Sequence, residues 1–232
     1  MDNDVIGNAL LDFYNKNYTT DIIVKSSISE DDFIPIPYLF RSQKELSELE
    51  GKALSLCKGK VLDIGAGSGC HSVILEGKGI GVTAIDTSKG AVEVMQKRVL
   101  KAFNINFYDV TEKYDTLLFL MNGVGIAKTL DGLQKFLLKA KSLLNNGGQI
   151  ILDSSDISYM FKEDDGSMLV DLNSAYYGDV TYQMEYKGVK ANKFSWLFVD
   201  FETLKSAAVD LGFNVELIFE DKNAQYLAKL SI

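Results

Sequence analysis

The feature that most constrains the fold is a run of short apolar segments that alternate with helical segments between residues 60 and 155. The apolar segments are short enough for buried strands, and the stretches between them carry apolar residues at helical spacing. Strands connected through helices lie parallel, so the pattern predicts a parallel sheet with helices on both faces. The predicted strands are residues 59–65, 82–86, 105–110, 114–123 and 148–155.

The remaining segments extend this α/β core at both ends. Residues 6–18 and 42–57 have helical spacing, with Ser42 as the cap of the second helix and Glu45 three residues later. Residues 179–188 and 189–200 read as facing strands, 201–212 as a helix and 213–232 as a final hairpin. We predict a single domain, divided into an N-terminal arm or lid, a ligand-binding core, a small antiparallel cap insert and a closing helix with hairpin: 1–41, 42–155, 156–200 and 201–232.

Charge and composition exclude several classes of function. The chain has 232 residues and a net charge of −8, and its lysines and arginines are scattered singly. Nucleic-acid binding normally leaves a basic surface, so we expect no nucleic-acid partner. The start lacks the features of a signal peptide, and no apolar run is long enough to span a membrane. With two cysteines and one histidine, we expect no metal site and a cytoplasmic protein without membrane contact.

The segment VLDIGAGSGCHS, residues 61–72, places a glycine-rich loop directly after the first strand of the core. In open parallel sheets, ligands bind beyond the carboxyl ends of the strands. The loop departs from the dinucleotide pattern because its third glycine comes one residue early, and the Gly-Lys-Ser/Thr of a P-loop is absent. Asp63, two residues before Gly65, would repel a pyrophosphate and would favour a cationic ligand.

Two further acids end the next two predicted strands. Asp86 follows Asp63 by 23 residues, the position at which an acid binds ribose hydroxyls in strand–loop–helix–strand units. Asp109, beside Val110, ends the third strand, and this pair suits an adenine ring with its exocyclic amine. Each acid can instead cap the turn that follows its strand.

Together these segments resemble the class I S-adenosylmethionine-dependent methyltransferases of the small-molecule type. The resemblance rests on VLDIGAGSG, VTAID, FYDV, YDTLLFLMNGVGIA and LLNNGGQIILD in the family's order, over residues 60–155, and extends to the closing hairpin. It implies a Rossmann-like, doubly wound, seven-stranded sheet of order 3-2-1-4-5-7-6 whose last strand is antiparallel. It also implies S-adenosylmethionine as cofactor and S-adenosylhomocysteine as product.

The resemblance assigns the glycine loop to the methionine end of the cofactor. Gly65, Ala66 and Gly67 would lie behind the methionine moiety, and Asp63 near its amino group. Three acids around the crevice would suit a sulfonium cation better than a dinucleotide.

The resemblance assigns the residues after later strands to the nucleoside and the sulfonium. Asp86 would hold the ribose, Asp109 with Val110 would hold the adenine, and Thr87 would also belong to the cofactor site. Asn122, after the fourth strand, would face the sulfonium, although Asn122 and Gly123 could also be a plain turn.

Five further residues are candidates whose roles the sequence leaves open. His71 can act as a general base or can be a first-turn residue of a helix. Asp153, at the end of the fifth strand, can contact substrate or cap the next segment. Arg41 can meet the cofactor carboxylate or be a surface cation, while Tyr38 and Trp196 are candidates for a wall of the substrate pocket.

The sequence therefore predicts a methyltransferase acting on a small-molecule acceptor, with the acceptor and the oligomeric state unspecified. The alternatives are an NAD(P)-dependent oxidoreductase and a non-catalytic protein that binds an adenosyl ligand with the same fold. The absence of D/N-P-P-Y/F after the fourth strand, which reads MNGVG, is against an amino-methylating nucleic-acid enzyme.

Overall fold

The structure is a computed structural model that describes residues 3–161 and 175–232. Its helices are α1 Val5–Tyr14, α2 Glu48–Leu56, α3 Cys70–Gly77, α4 Lys89–Lys97, α5 Leu130–Ser142 and α6 Phe201–Asp210. Its strands are β1 Ile22–Ser26, β2 Asp32–Ile34, β3 Val61–Ile64, β4 Val82–Asp86, β5 Ala102–Asn104, β6 Tyr114–Phe119, β7 Leu144–Ser155, β8 Asp179–Tyr186, β9 Val189–Lys190, β10 Phe194–Leu197, β11 Asn214–Glu220 and β12 Gln225–Ser231.

The main sheet confirms the predicted fold class. Its strand order is β11-β12-β7-β6-β3-β4-β5, with β7, β6, β3, β4 and β5 parallel and β12 antiparallel to β7. In order of appearance in this sheet, that is 6-7-5-4-1-2-3, the predicted order read from the other edge. Helices α5 and α6 pack on one face, and α2 and α3 pack on the other. The β3 residues are buried throughout, as expected of a strand covered on both faces.

A second, antiparallel sheet joins two segments that are far apart in the sequence. Its order is β10-β8-β1-β2, and β9 pairs with β8. Ile23 of β1 lies opposite Glu185 of β8, so the predicted N-terminal arm and the predicted cap insert form one structure. Parts of these two segments, residues 1–2 and 162–174, lie outside the described residues.

Helix α1 fixes this second sheet to the core through the start of α4. The Asp4 carboxylate accepts from the Gly7 backbone N–H at 2.9 Å and from the Ser88 hydroxyl at 2.9 Å. It also accepts from the Gly90 N–H at 3.0 Å. A Cβ at Gly90 would overlap the backbone of Gly7, so the two helices touch through glycines. Because α4 follows β4 directly, α1 lies beside the carboxyl end of that strand.

Two of the predicted elements whose bounds differ from the structure bear on the site. The third strand is Ala102–Asn104, and residues 107–109 form a 3-10 turn that the Asn106 side chain caps at the Tyr108 N–H, 2.9 Å away. The apolar residues that suggested a strand serve as core instead, since Phe107 packs edge-on against Phe119.

The helix predicted from Ser42 begins later. Ser42 and Glu45 do form a capping box, but it closes only a short 3-10 turn. A second capping box, Ser47 with Glu50, starts α2. Two boxes in succession divide the predicted helix, and Leu46 between them is extended. Among the described helices, none has the length and apolarity needed to cross a bilayer.

Candidate functional site

A cavity of about 450 Å³ lies where β3, β4 and β6 reach their carboxyl ends. One wall is the glycine loop, residues 65–68, together with the turn after β6, residues 120–123. The opposite wall consists of side chains from β1, β2, β8 and β10 of the second sheet. Ligands of open parallel sheets bind at this edge, so the cavity is the candidate functional site.

The glycine loop exposes bare backbone to the cavity. Gly65, Gly67 and Gly69 have φ of 71°, 57° and 78°, a region that favours glycine. No atom lies within 4 Å of a Cβ built on Gly67, because that position faces the open cavity. The N–H groups of Gly65 and Ala66 both donate to the Ile85 carbonyl, at 3.0 and 3.1 Å, which holds the loop against β4. A ligand can therefore lie directly against the loop.

Asp86 connects this loop to the start of α4. Its carboxylate accepts from the Gly67 N–H at 2.9 Å and from the Ser88 N–H at 2.8 Å. Burial raises the pKa of Asp86, and these two N–H donors oppose the rise. A carboxylate can accept about four hydrogen bonds, so Asp86 keeps acceptor capacity for a ligand in the cavity.

Asp63 lies at the end of β3 and also lines the cavity. It is buried and accepts from the Ser72 hydroxyl at 2.6 Å. Burial raises the pKa of Asp63, against the opposing influence of His71 and Ser72. Two acids of the predicted set of three thus meet in one cavity.

A buried ion cluster lies behind the glycine loop. The Glu50 carboxylate binds the Arg41 guanidinium and accepts from His71 Nε2 at 2.7 Å. It also accepts from the Ser47 N–H at 2.9 Å. Burial alone would raise the pKa of Glu50, but the donors from His71, Arg41 and Ser47 hold it well below its usual range. Glu50 is the single acid between two cations.

The same cluster keeps His71 protonated. Burial opposes a charge on His71, but the neighbouring Cys70 and the Glu50 carboxylate raise the pKa of the imidazole to about 10. A protonated imidazole bound to a carboxylate cannot accept a proton from a substrate. The geometry therefore favours His71 as a fixed cation beside the cavity, and a general base at this position stays an untested prediction.

Because the pKa of His71 is raised, we expect the stability of the fold to decrease at alkaline pH. A histidine whose pKa rises on folding contributes its full stability below its ordinary value of about 6.5 and loses it as pH rises through about 10. We expect the free energy of unfolding, measured with urea at a series of pH values, to fall across this window. A His71→Gln variant should show a shallower fall, by up to about 1.4 kcal/mol per pH unit. Identical slopes for the two proteins would contradict the assignment.

Comparisons with known proteins give the same picture as this geometry. The sequence model of the family described as "Tellurite resistance protein TehB" matches residues 26–143. The crystal structure of a SAM-dependent methyltransferase from Bacteroides fragilis, in complex with S-adenosyl-L-homocysteine, is 42% identical with a TM-score of 0.93. The alignment covers 99% of this chain and 95% of that one. The chain belongs to the TehB family, within the class I S-adenosylmethionine-dependent methyltransferases.

Two curated relatives of the methyltransferase are more distant. An uncharacterized methyltransferase of Staphylococcus carnosus is 26% identical, with 80% of this chain and 84% of the relative covered. A probable cobalt-precorrin-6B C(15)-methyltransferase (decarboxylating) of Sulfurisphaera tokodaii is 29% identical, with 72% and 88% covered. Their names agree on methyl transfer and differ in how far they specify the acceptor.

S-adenosylmethionine is the cofactor of the methyltransferase, and the cavity fits it. The space beside Gly67 is open, so a ligand can lie there without displacing a side chain. Asp63 and Asp86 supply negative charge for a ligand that carries a sulfonium and an amino group. In the described residues, no group of three His, Cys, Asp or Glu side chains could hold a metal ion.

Asn122 and Asp153 stabilise the turn that follows β6. Asn122 has φ of 57°, donates to the Leu197 carbonyl at 3.0 Å and accepts from Ser154 at 2.8 Å. Asp153 is buried, accepts from the Gly123 N–H at 3.2 Å, and lies outside the cavity lining. Burial raises the pKa of Asp153 to about 6. Asn122 lines the cavity, but its amide is already bonded on both sides.

Four other predicted residues differ in where they lie relative to the cavity. Asp109 is exposed and Val110 is buried in the core, and neither lines the cavity. Thr87 lines a second cavity of about 380 Å³, which shares Asp86 with the first. Trp196 lines the main cavity, and its role as a wall of the substrate pocket stays a prediction.

Arg41 and Tyr38 lie outside the cavity lining. Arg41 is buried, so it is not a surface cation, and its guanidinium stacks on the Tyr38 ring with 4.1 Å to the centroid. The Tyr38 side chain is 47% exposed. A role for Arg41 toward the cofactor carboxylate stays a prediction.

The sequence reasoning missed several residues of the site. The spacing of Ser47 and Glu50 signals only a helix cap. The ion pairs of Glu50 gave no signal, because its partners Arg41 and His71 meet it only in the folded chain. The alternation of aromatic residues at 194, 196 and 198 was a visible signal of one strand face. Sequence reasoning singled out only Trp196 of these, since the partner strand β8 could not be placed over the cavity.

Proposed function

We propose that the methyltransferase transfers the methyl group of S-adenosylmethionine to a small-molecule acceptor held between the glycine loop and the second sheet. One observation carries the proposal: a single cavity is lined both by the glycine loop and by β1, β8 and β10. A cofactor on the loop and an acceptor under the second sheet would share that cavity and would be in contact. Proximity and orientation are the main requirements for transfer from a good leaving group.

The proposed cofactor contacts follow the walls of the cavity. Gly65, Ala66 and Gly67 would back the methionine moiety, with Asp63 near its amino group, and Asp86 would hold the ribose hydroxyls. The remaining proposed contacts are Thr87, Asp109, Val110 and Asn122. Asp86 has the strongest structural support among them, because its carboxylate also fixes the Gly67 N–H.

When bound, the cofactor supplies an electrophilic methyl group on a sulfonium. The acceptor's lone pair forms the new bond to that carbon, the carbon–sulfur bond breaks with its electrons left on sulfur, and any acceptor proton leaves to solvent. The protein's own part is to align the two and to exclude water between them. The second sheet supplies that cover. Helix α1 holds it in place, because the Asp4 carboxylate at the start of α1 accepts hydrogen bonds from Ser88 and Gly90 at the start of α4.

A small acceptor agrees with the charge and shape of the site. The chain carries a net charge of −8, which disfavours a nucleic acid. The acceptor side of the cavity lies beneath β1, β8 and β10, so a substrate has to enter the space under a sheet. We also propose that residues 1–232 act as one domain in which segments 1–41 and 156–200 shape the acceptor pocket.

Thermal shift with S-adenosylhomocysteine and NAD tests the proposed function. A ligand that binds only the native state at about 100 times its dissociation constant adds about 2.7 kcal/mol of stability. For a chain of this size we expect S-adenosylhomocysteine to raise the Tm by about 5–10 °C. NAD should leave the Tm unchanged. Stabilisation by NAD alone would refute the proposal in favour of an oxidoreductase.

A further inference from the structure

The acceptor wall of the cavity is aromatic. Phe194, Trp196 and Phe198 alternate along β10 and its continuation, and all three line the cavity. Tyr182 of β8 lies opposite Phe194 in the strand pairing and lines the cavity too. Alternation at every second residue places the three β10 rings on one face of the sheet.

These rings form one connected surface. The Tyr182 centroid lies 6.0 Å from that of Phe194 and 6.3 Å from that of Phe198. The Trp196 ring meets the Phe194 ring edge-on, with centroids 6.1 Å apart and planes at 86°. Such distances and angles are those of interacting aromatic pairs.

The Trp196 indole rests on bare backbone at Gly125. A Cβ built on Gly125 would overlap the indole ring, so only glycine permits this approach. The close contact fixes the plane of the indole. The aromatic surface is therefore a rigid wall against which a flat molecule can stack.

The acceptor side of the cavity carries negative charge and, among the described residues, no positive charge. Among the described residues that line it, the charged side chains are Asp32, Asp63, Asp86 and His71, with neither lysine nor arginine. His71 lies at the glycine-loop end, and its Nε2 is bonded to Glu50. The rest of the acceptor wall is apolar and includes Ile22, Val24, Ile34 and Met184.

An anionic acceptor would lose its hydration at this wall without gaining a lysine or arginine as partner, which is costly. An uncharged planar ring would gain apolar burial and ring–ring contact instead. We propose that the methyl acceptor, on the methyl transfer proposed above, is an aromatic compound without negative charge whose O or N nucleophile is carried on the ring. An oxyanion such as tellurite, to which the family description refers, does not fit this wall.

Trp196 is the single tryptophan of the chain, so its fluorescence reports directly on this wall. The protein, saturated with S-adenosylhomocysteine, is titrated with phenol, aniline and quinoline and with their ring-carboxylated counterparts. We expect saturable quenching by the uncharged rings, with dissociation constants about 100-fold lower than those of the carboxylated ones. Equal or tighter binding of the carboxylated set, or no saturable quenching by any ring, would overturn the proposal.

Turnover with methyl-labelled S-adenosylmethionine gives the second readout. Label should appear in methylated phenol, aniline or quinoline, and tellurite and selenite should give no methylated product. Methylation of tellurite at a rate equal to or above that of the most rapidly methylated aromatic compound would overturn the proposal.

A Phe198→Leu variant keeps an apolar side chain at this position but removes one aromatic ring from the wall. It should raise the dissociation constants of the uncharged aromatic compounds about 5-fold. Phe33→Leu is the matched control, since Phe33 belongs to the same sheet, is 59% exposed and does not line the cavity. Both variants should keep the wild-type dissociation constant for S-adenosylhomocysteine, and an equal effect of the two on ring binding would contradict the aromatic wall.

Failure of S-adenosylhomocysteine to bind the wild type would refute the proposed function itself. Normal binding of it with a preference for anions would refute only the acceptor class.

Discussion

Replacing Glu50 with alanine should lower the free energy of unfolding by about 3–5 kcal/mol, the loss expected when one partner of a buried ion pair is removed. Glu50 lies between Arg41 and His71, and all three side chains are buried. Without the carboxylate, the buried Arg41 guanidinium would lose the acid that balances its charge. The Ser47 N–H, at the start of α2, would also lose its acceptor. Urea unfolding near pH 7 measures the loss.

Glu48→Ala is the matched control because Glu48 belongs to the same helix and pairs with Lys52 at 2.8 Å. Both side chains of that pair are exposed, so its loss should cost at most about 0.5 kcal/mol. The Glu50 result should also depend on pH, since a variant without Glu50 no longer holds His71 protonated. Equal losses for the two variants would show that the Arg41–Glu50–His71 cluster does not stabilise the fold.

The main sheet was predictable because most of its elements carry a local signal. β3, β4 and β6 are buried apolar runs, and the hairpin of β11 and β12 is marked by the turn between them. Alternation with helices then leaves few topologies, since such crossovers are right-handed and short. The resemblance to a methyltransferase family supplied the strand order that these signals alone leave open.

The boundaries of the third strand were not predictable from local pattern. Phe107 and its neighbours look like strand residues, but their apolar side chains pack onto the core from a capped 3-10 turn. Asp109 is therefore the last residue of that turn, and it does not stand at a strand tip beside Asp63 and Asp86. Apolar composition identifies burial better than it identifies backbone geometry.

The cover of the site could not be derived from sequence because it depends on pairing between distant segments. β1 pairs with β8, so Ile23 meets Glu185 across more than half of the chain. Neither strand can form a sheet by itself, and the composition of neither strand indicates which segment it pairs with. The Glu50 cluster has the same origin, because Arg41, Glu50 and His71 come from three separate elements. The acceptor wall and the buried charges are thus properties of the tertiary structure.

Asp86→Ala should raise the dissociation constant for S-adenosylhomocysteine by about 100-fold, which corresponds to about 2.7 kcal/mol. The variant removes the proposed acceptors of the ribose hydroxyls, and hydrogen bonds to a charged group contribute about 1.5–3 kcal/mol each. It also removes the acceptor of the Gly67 N–H, so the loop that backs the methionine moiety loses a constraint. Isothermal titration calorimetry of the purified variant gives the constant directly.

Asp115→Ala separates this effect from a general loss of structure. Asp115 also accepts from a backbone N–H, that of Lys60 at 2.7 Å, and from the Asn145 amide at 2.8 Å. It lies near the amino end of β6, at the opposite edge of the sheet from the cavity. Its loss should lower the Tm and leave the dissociation constant for S-adenosylhomocysteine unchanged. An Asp86 variant that is folded by circular dichroism and binds with wild-type affinity would remove the ribose assignment, because no other acid of β4 faces the cavity in the described residues.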